Sequence, residues 1–115
     1  MNTQIHAKDI TLNDHTKSHI DSAIESFNKY SLELTSVVAH VKKEKLGVSV
    51  EFEINIAHQE PVIISQTDDS LDAAIDLAIE RATKALRRLH DKIISHRGGS
   101  IKDLAPEDEK IEEEN

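Results

Sequence analysis

Residues 48–57 restrict the fold more than any other stretch. Val48, Val50, Phe52, Ile54 and Ile56 alternate with Ser49, Glu51, Glu53 and Asn55. A period of two over this length specifies a strand with one buried and one wet face. A sheet built on such a strand carries its helices on one side only, so the expected architecture is a two-layer α+β sandwich.

The helices that cover it are legible on either side. Asn13 is a suitable N-cap with Asp14 behind it, and helix 1 is expected to run to about Tyr30, burying Ile20, Ala23, Ile24 and Phe27. The second helix is expected over Ser70–Arg97. Leu71, Ile75, Ala78, Ala82, Leu86, Leu89 and Ile93 recur in steps of three and four. Asp69 or Ser70 caps its start, and Gly98-Gly99 stops it. Three further strands complete the set: Thr3–Ala7, Ser36–Lys45 and Val62–Thr67, with turns at Leu46-Gly47 and His58–Pro61. The order is β-α-β-β-β-α, giving a four-stranded mixed sheet with two helices on one face. In the last strand the pattern leaves open whether Val62 and Ile64 or Ile63 face the helices.

Charge is unevenly distributed. The chain carries −8 overall, which argues at first against a nucleic-acid ligand. From Gly99 onward there are seven acidic residues and two lysines, leaving −3 for residues 1–98. Two units are therefore expected: a domain over 1–98 and an acidic, disordered tail over 99–115. Within helix 2 the charged residues before position 81 are all acidic (Asp72, Asp76, Glu80), whereas Arg81, Lys84, Arg87, Arg88, Lys92 and Arg97 follow against Asp91 alone. Arg81, Lys84, Arg88 and Lys92 fall within about 80° of one another at 100° per residue, beside the apolar seam. Such a stripe reads as a solvated helix flank or as a row of phosphate contacts. Helix 2 is long enough for its basic end to overhang the sheet. Lys42, Lys43 and Lys45 form a second basic group, expected near the start of helix 2 and apart from the first.

Other chemistries find little support. The chain has no cysteine, hence no disulfide framework and no thiolate catalysis, which fits a reducing cytoplasm. No apolar run approaches the length of a membrane span, and no signal-peptide pattern opens the sequence. His15 and His19 stand i, i+4 on helix 1 without a third ligand, so they read as surface histidines and not as a metal site. No phosphate loop, Ser-His-Asp set or paired-carboxylate pattern is present; an enzyme is not expected, nor a cofactor. Both phenylalanines fall on buried faces, which leaves no platform for stacking single-stranded bases.

Several segments together resemble a known family. They are Ile10-Thr11-Leu12-Asn13 leading into helix 1, Phe27-Asn28-Lys29-Tyr30 at its end, and Ser36-Val37-Val38 through Lys43-Glu44-Lys45. The most specific is Ala73-Ala74-Ile75-Asp76 followed by Ile79-Glu80-Arg81, Lys84, Leu86, Arg88 and Asp91-Lys92. This set resembles the bacterial ribosome hibernation factors over nearly the whole chain. One departure stands just before the signature: the family usually has Tyr where this chain has Asp72. Ser100-Ile101-Lys102-Asp103 and the acidic run after it are similar to the ending of the short, acidic-tailed protein Y branch. The resemblance implies a translation inhibitor that binds the small ribosomal subunit and occludes the tRNA and mRNA channel in idle or stressed, stationary-phase cells. It further implies rRNA phosphate contacts from Lys42, Lys45, Arg81, Lys84, Arg87, Arg88, Lys92 and Arg97. The tail would remain mobile or meet basic ribosomal proteins. The expected protein is a cytoplasmic monomer. Two other readings are a protein-binding regulatory module acting through the open sheet face or the tail, and a domain that self-associates along the edge of strand 4.

Overall fold

A computed structural model describes the backbone of residues 1–98 and the side chains through residue 94. The expected tail over 99–115 lies outside the described residues, as does the side chain of Arg97. The elements are β1 (Asn2–Lys8), α1 (Asp14–Ser26), β2 (Leu34–Glu44), β3 (Gly47–Ile56), β4 (Val62–Asp68) and α2 (Leu71–Gly98). The order β-α-β-β-β-α is the expected one. The strands lie side by side as β1-β2-β3-β4. β1 pairs parallel with β2, and the other two pairings are antiparallel. A parallel neighbour demands a crossover, and α1 supplies it.

Register settles the faces. Val37, Ala39 and Val41 of β2 stand opposite Ile54, Phe52 and Val50 of β3, and all six are buried. Val62 and Ile64 of β4 pair with Ile54 and Phe52, so these two face the helices and Ile63 points to the open side, where it is exposed. Ile20, Ala23, Ile24 and Phe27 lie beneath α1 and its continuation, as the spacing requires. From α2 come Ala74, Ile75, Ala78, Ala82 and Leu86. The buried alanines bring the α2 backbone close to β3 and β4, while Ile75 and Leu86 fill the space between. Phe27 meets Phe52 edge-to-face, with centroids 5.7 Å apart and an interplanar angle of 87°.

Local signals account for the ends. Asn13 Oδ1 accepts from the Thr16 amide at 2.8 Å, and Ser70 Oγ accepts from the Ala73 amide at 3.1 Å. Each satisfies one amide that has no partner within its helix. α1 does not remain α-helical to Tyr30. It tightens into a 3-10 turn over Phe27–Tyr30, which ends at Ser31 with φ of 59°. The tighter turn keeps Phe27 in the core while the chain reverses towards β2. The β2–β3 connection is Lys45-Leu46, and Gly47 already belongs to β3. Its φ is +154°, and a Cβ there would collide with the Asp68 carbonyl oxygen. Glycine is required at this point by both conformation and space.

This topology gives the domain two distinct ends. The β2–β3 hairpin, the end of β4 and the start of α2 gather at one end. At the other, α2 continues past the edge strand β4. Its 28 residues extend about 42 Å at 1.5 Å per residue, while the seven of β4 cover about 23 Å.

Candidate nucleic-acid interface

α2 presents its two flanks to different neighbours. On one flank Asp76 Oδ1 meets His19 Nε2 of α1 at 3.0 Å. His19 thus turns towards α2 and not towards His15. Among the described residues no group of three or more His, Asp or Glu side chains is placed to hold a metal ion. The opposite flank carries the basic residues and lies beside β4, the edge strand.

The basic residues of that flank are not equivalent. Arg81 reaches across to β4 and donates through Nη1 to the Ser65 carbonyl oxygen at 2.7 Å and to Gln66 Oε1 at 3.0 Å. Part of its hydrogen-bonding capacity is therefore committed to the sheet edge. Lys84 is partly covered and stands 3.8 Å from Glu80, one turn back. A pair of this kind on a helix surface is worth only about 0.3–0.5 kcal/mol, so Lys84 remains available to a stronger anion. Arg88 and Lys92 are exposed further along the same flank, and Arg87 is exposed on the outer surface between the flanks. The cations least committed within the fold thus lie on the C-terminal half of α2, with Arg88 and Lys92 beyond the span of the edge strand β4.

Lys42, Lys43 and Lys45 are exposed at the opposite end. The hairpin that carries them abuts Asp68 and Asp69 at Gly47. Lys92 is 21 residues beyond the first residue of α2, about 30 Å along the helix. The two basic groups do not merge, in agreement with the reading of the sequence. Parallel pairing adds a residue that spacing did not reveal: Lys8 of β1 stands beside Lys42, and both are exposed on the open face. Leu46 at the hairpin tip is 86% exposed.

The remainder of the open face is of different character. His6 and His40, register partners on β1 and β2, stack with centroids 5.4 Å apart. His40 Nε2 lies 3.9 Å from Glu53 Oε1, and Ser65 Oγ donates to Glu51 at 3.2 Å. With two carboxylates on β3, the centre of this face does not attract phosphate. Both phenylalanines are fully buried, and Tyr30 is half-buried with Lys29 Nζ 5.5 Å above its ring. Among the described residues there is accordingly no fully exposed Phe or Tyr ring for stacking bases.

Comparison with known proteins agrees with this architecture. The family described as Sigma 54 modulation protein / S30EA ribosomal protein matches residues 3–94. The chain belongs to this family. It is thereby a ribosome-associated modulation protein, of the hibernation-factor kind that the α2 signature resembles. The match runs from β1 into the C-terminal part of α2. Among solved structures, the N-terminal domain of Thermus thermophilus Protein Y is 19% identical with a TM-score of 0.68, over 77% of this chain and 99% of that one. A ribosomal subunit interface protein from Coxiella burnetii is 11% identical with a TM-score of 0.66, over 77% of this chain and 97% of that one. At these identities the likeness is one of fold. No curated protein matches the chain by sequence.

Proposed function

We propose that this protein binds the small ribosomal subunit through the basic flank of α2 and occludes the channel that tRNA and mRNA would occupy, acting as a cytoplasmic monomer in idle or stressed cells. The observation that carries this reading is the exposure of Arg87, Arg88 and Lys92, with Lys84 beside them, on the C-terminal half of a helix that is anchored by the core and longer than the edge strand next to it. Folded rRNA is recognised mainly through shape and backbone. A stiff helix with uncommitted cations along its C-terminal half suits that mode, and the family to which the chain belongs is ribosome-associated. Lys8, Lys42 and Lys45 provide a second basic contact about 30 Å away along α2. An extended footprint with two anchoring points suits a channel better than a pocket.

The test is chemical footprinting of small-subunit rRNA with and without the protein. The expected result is protection of nucleotides lining the tRNA and mRNA positions, lost when tRNA is prebound. Protection confined to the outer surface of the subunit, or unaffected by tRNA, refutes occlusion.

A further inference from the structure

On the open sheet face, towards the β2–β3 hairpin, four side chains form a two-by-two array. Parallel register sets His6 beside His40 and Lys8 beside Lys42. Neighbouring strands lie about 4.8 Å apart, and alternate residues of one strand about 6.6 Å apart, so the four share one patch. His6, Lys8 and Lys42 are exposed, and the His40 side chain keeps 45% of its surface in solvent. Among the described residues neither Lys8 nor Lys42 enters a salt bridge. The groups that face the array decide its sign. β1 adds the neutral Gln4, whose Oε1 lies 2.9 Å from His6 Nε2, and Asp9 follows beyond the end of the strand. On β2, Glu44 comes after Lys42 on the same face. β3 contributes Glu51, the register partner of His40, and Glu53, 3.9 Å from His40 Nε2. From β4, Ser65 Oγ donates to Glu51 at 3.2 Å.

We infer that His6, Lys8, His40 and Lys42 form a phosphate-binding site that fills when the two histidines are protonated, its ligand being the phosphodiester backbone of RNA or a small anion of the same chemistry. With neutral imidazoles, the two lysines of the array are outnumbered by the sheet carboxylates Glu44, Glu51 and Glu53, and the patch does not attract an anion. With both imidazoles charged, the cations of the array outnumber those carboxylates and the sign reverses. Histidine is the side chain whose ordinary change of charge falls between about pH 5 and 8. The two rings stack with centroids 5.4 Å apart and an interplanar angle of 21°. Two imidazoliums at that distance repel unless an anion lies against both. Proton uptake and anion binding are therefore linked, each favouring the other. Occupancy is fullest below the histidine range and is lost as pH rises through it. The inference rests on the hairpin-end contact proposed above, and not on the α2 flank.

The experiment is a pH titration of the imidazole NMR signals of the full chain, free of ribosomes, in buffer alone, with sulfate and with a short RNA duplex. Sulfate and the phosphodiester both keep a constant charge over this range. His58, in the turn between β3 and β4 at the opposite end of the sheet, is the internal control. The midpoints of His6 and His40 are expected to rise by about 0.5 unit each, with His58 unmoved. A rise with both anions assigns the site to any phosphate-like ion; a rise with the duplex alone assigns it to the nucleic-acid backbone. Two such shifts correspond to about tenfold tighter binding once both histidines are charged. That gain is read as duplex affinity at low and high pH in a chain carrying Lys84→Glu/Arg88→Glu/Lys92→Glu, so that a failure of the α2 reading leaves this test intact. Adding His6→Gln/His40→Gln to that chain, with its melting temperature as a fold control, should leave less than about a twofold dependence on pH. Midpoints that stay in place with both anions, or that move no more than that of His58, overturn the inference.

Discussion

Arg81 offers a way to separate what holds the fold from what binds. Its guanidinium donates to the Ser65 carbonyl and to the Gln66 side chain on β4, whereas Arg88, two turns further on, is exposed. Replacing each by Met keeps an unbranched stem and nearly the same helix propensity, so that only the guanidinium is removed. The two hydrogen bonds of Arg81 are exposed, and Gln66 recovers solvent as a partner. Counting mainly the bond to the strand carbonyl gives a net loss of about 1 kcal/mol. For a domain of this size that corresponds to a fall in Tm of about 4 °C. Arg88→Met, a surface change with no partner to lose, should remain within about 0.5 kcal/mol of wild type. Ribosome binding should show the reverse order. Arg88→Met removes one phosphate contact and lowers the slope of log K against log salt by about 0.7–0.9; Arg81→Met lowers it less. Thermal melting followed by circular dichroism gives the first comparison, and binding at several salt concentrations gives the second. If Arg81→Met melts with wild type yet loses a full unit of salt slope, Arg81 is a free phosphate ligand and the link from α2 to β4 is wrong.

Other changes test the scaffold. Gly47→Ala places a Cβ against the Asp68 carbonyl at a φ of +154°; it should cost at least about 1 kcal/mol in urea unfolding, and a neutral result would mean the hairpin does not approach β4 so closely. Phe52→Ala removes a ring with 0% exposure that packs on Phe27, and about 3–5 kcal/mol should be lost. Asn13→Ala deletes the cap on the Thr16 amide and should cost about 1 kcal/mol, with faster amide exchange confined to the first turn of α1.

The parts of this fold that could be read in the sequence are those specified by short-range pattern. The alternation from Val48 to Ile56 fixed a one-faced sheet, because strand side chains repeat every two residues whatever lies elsewhere. Asn13 and Ser70 act within three residues of themselves. The α2 seam is visible because burial selects every third or fourth residue. What stayed hidden depends on distant partners. Val62-Ile63-Ile64 is apolar throughout, and only pairing with Phe52 and Ile54 shows that Ile63 is the outward residue. Lys8 joins Lys42 through a parallel register that 33 intervening residues do not encode locally. The tightening of Phe27–Tyr30 into a 3-10 turn follows from where the chain must reverse. Of the candidate site, the stripe was legible by helical geometry, but the commitment of Arg81 to the sheet edge was not. An arginine in a sequence looks the same whether its guanidinium faces water or a strand.

The basic flank of α2 is the surface proposed to meet the ribosome. Co-sedimentation with vacant small subunits over a salt series tests it most directly, comparing wild type with Lys84→Glu/Arg88→Glu/Lys92→Glu. Arg81 is left in place so that the fold is preserved, and the melting temperature of the variant serves as the control. The wild type is expected to pellet with the subunit at low salt and to be released steeply as salt rises, while the variant, folded, stays in the supernatant throughout. A folded variant that pellets like wild type would contradict it and move attention to the lysines of the hairpin end or to a protein partner.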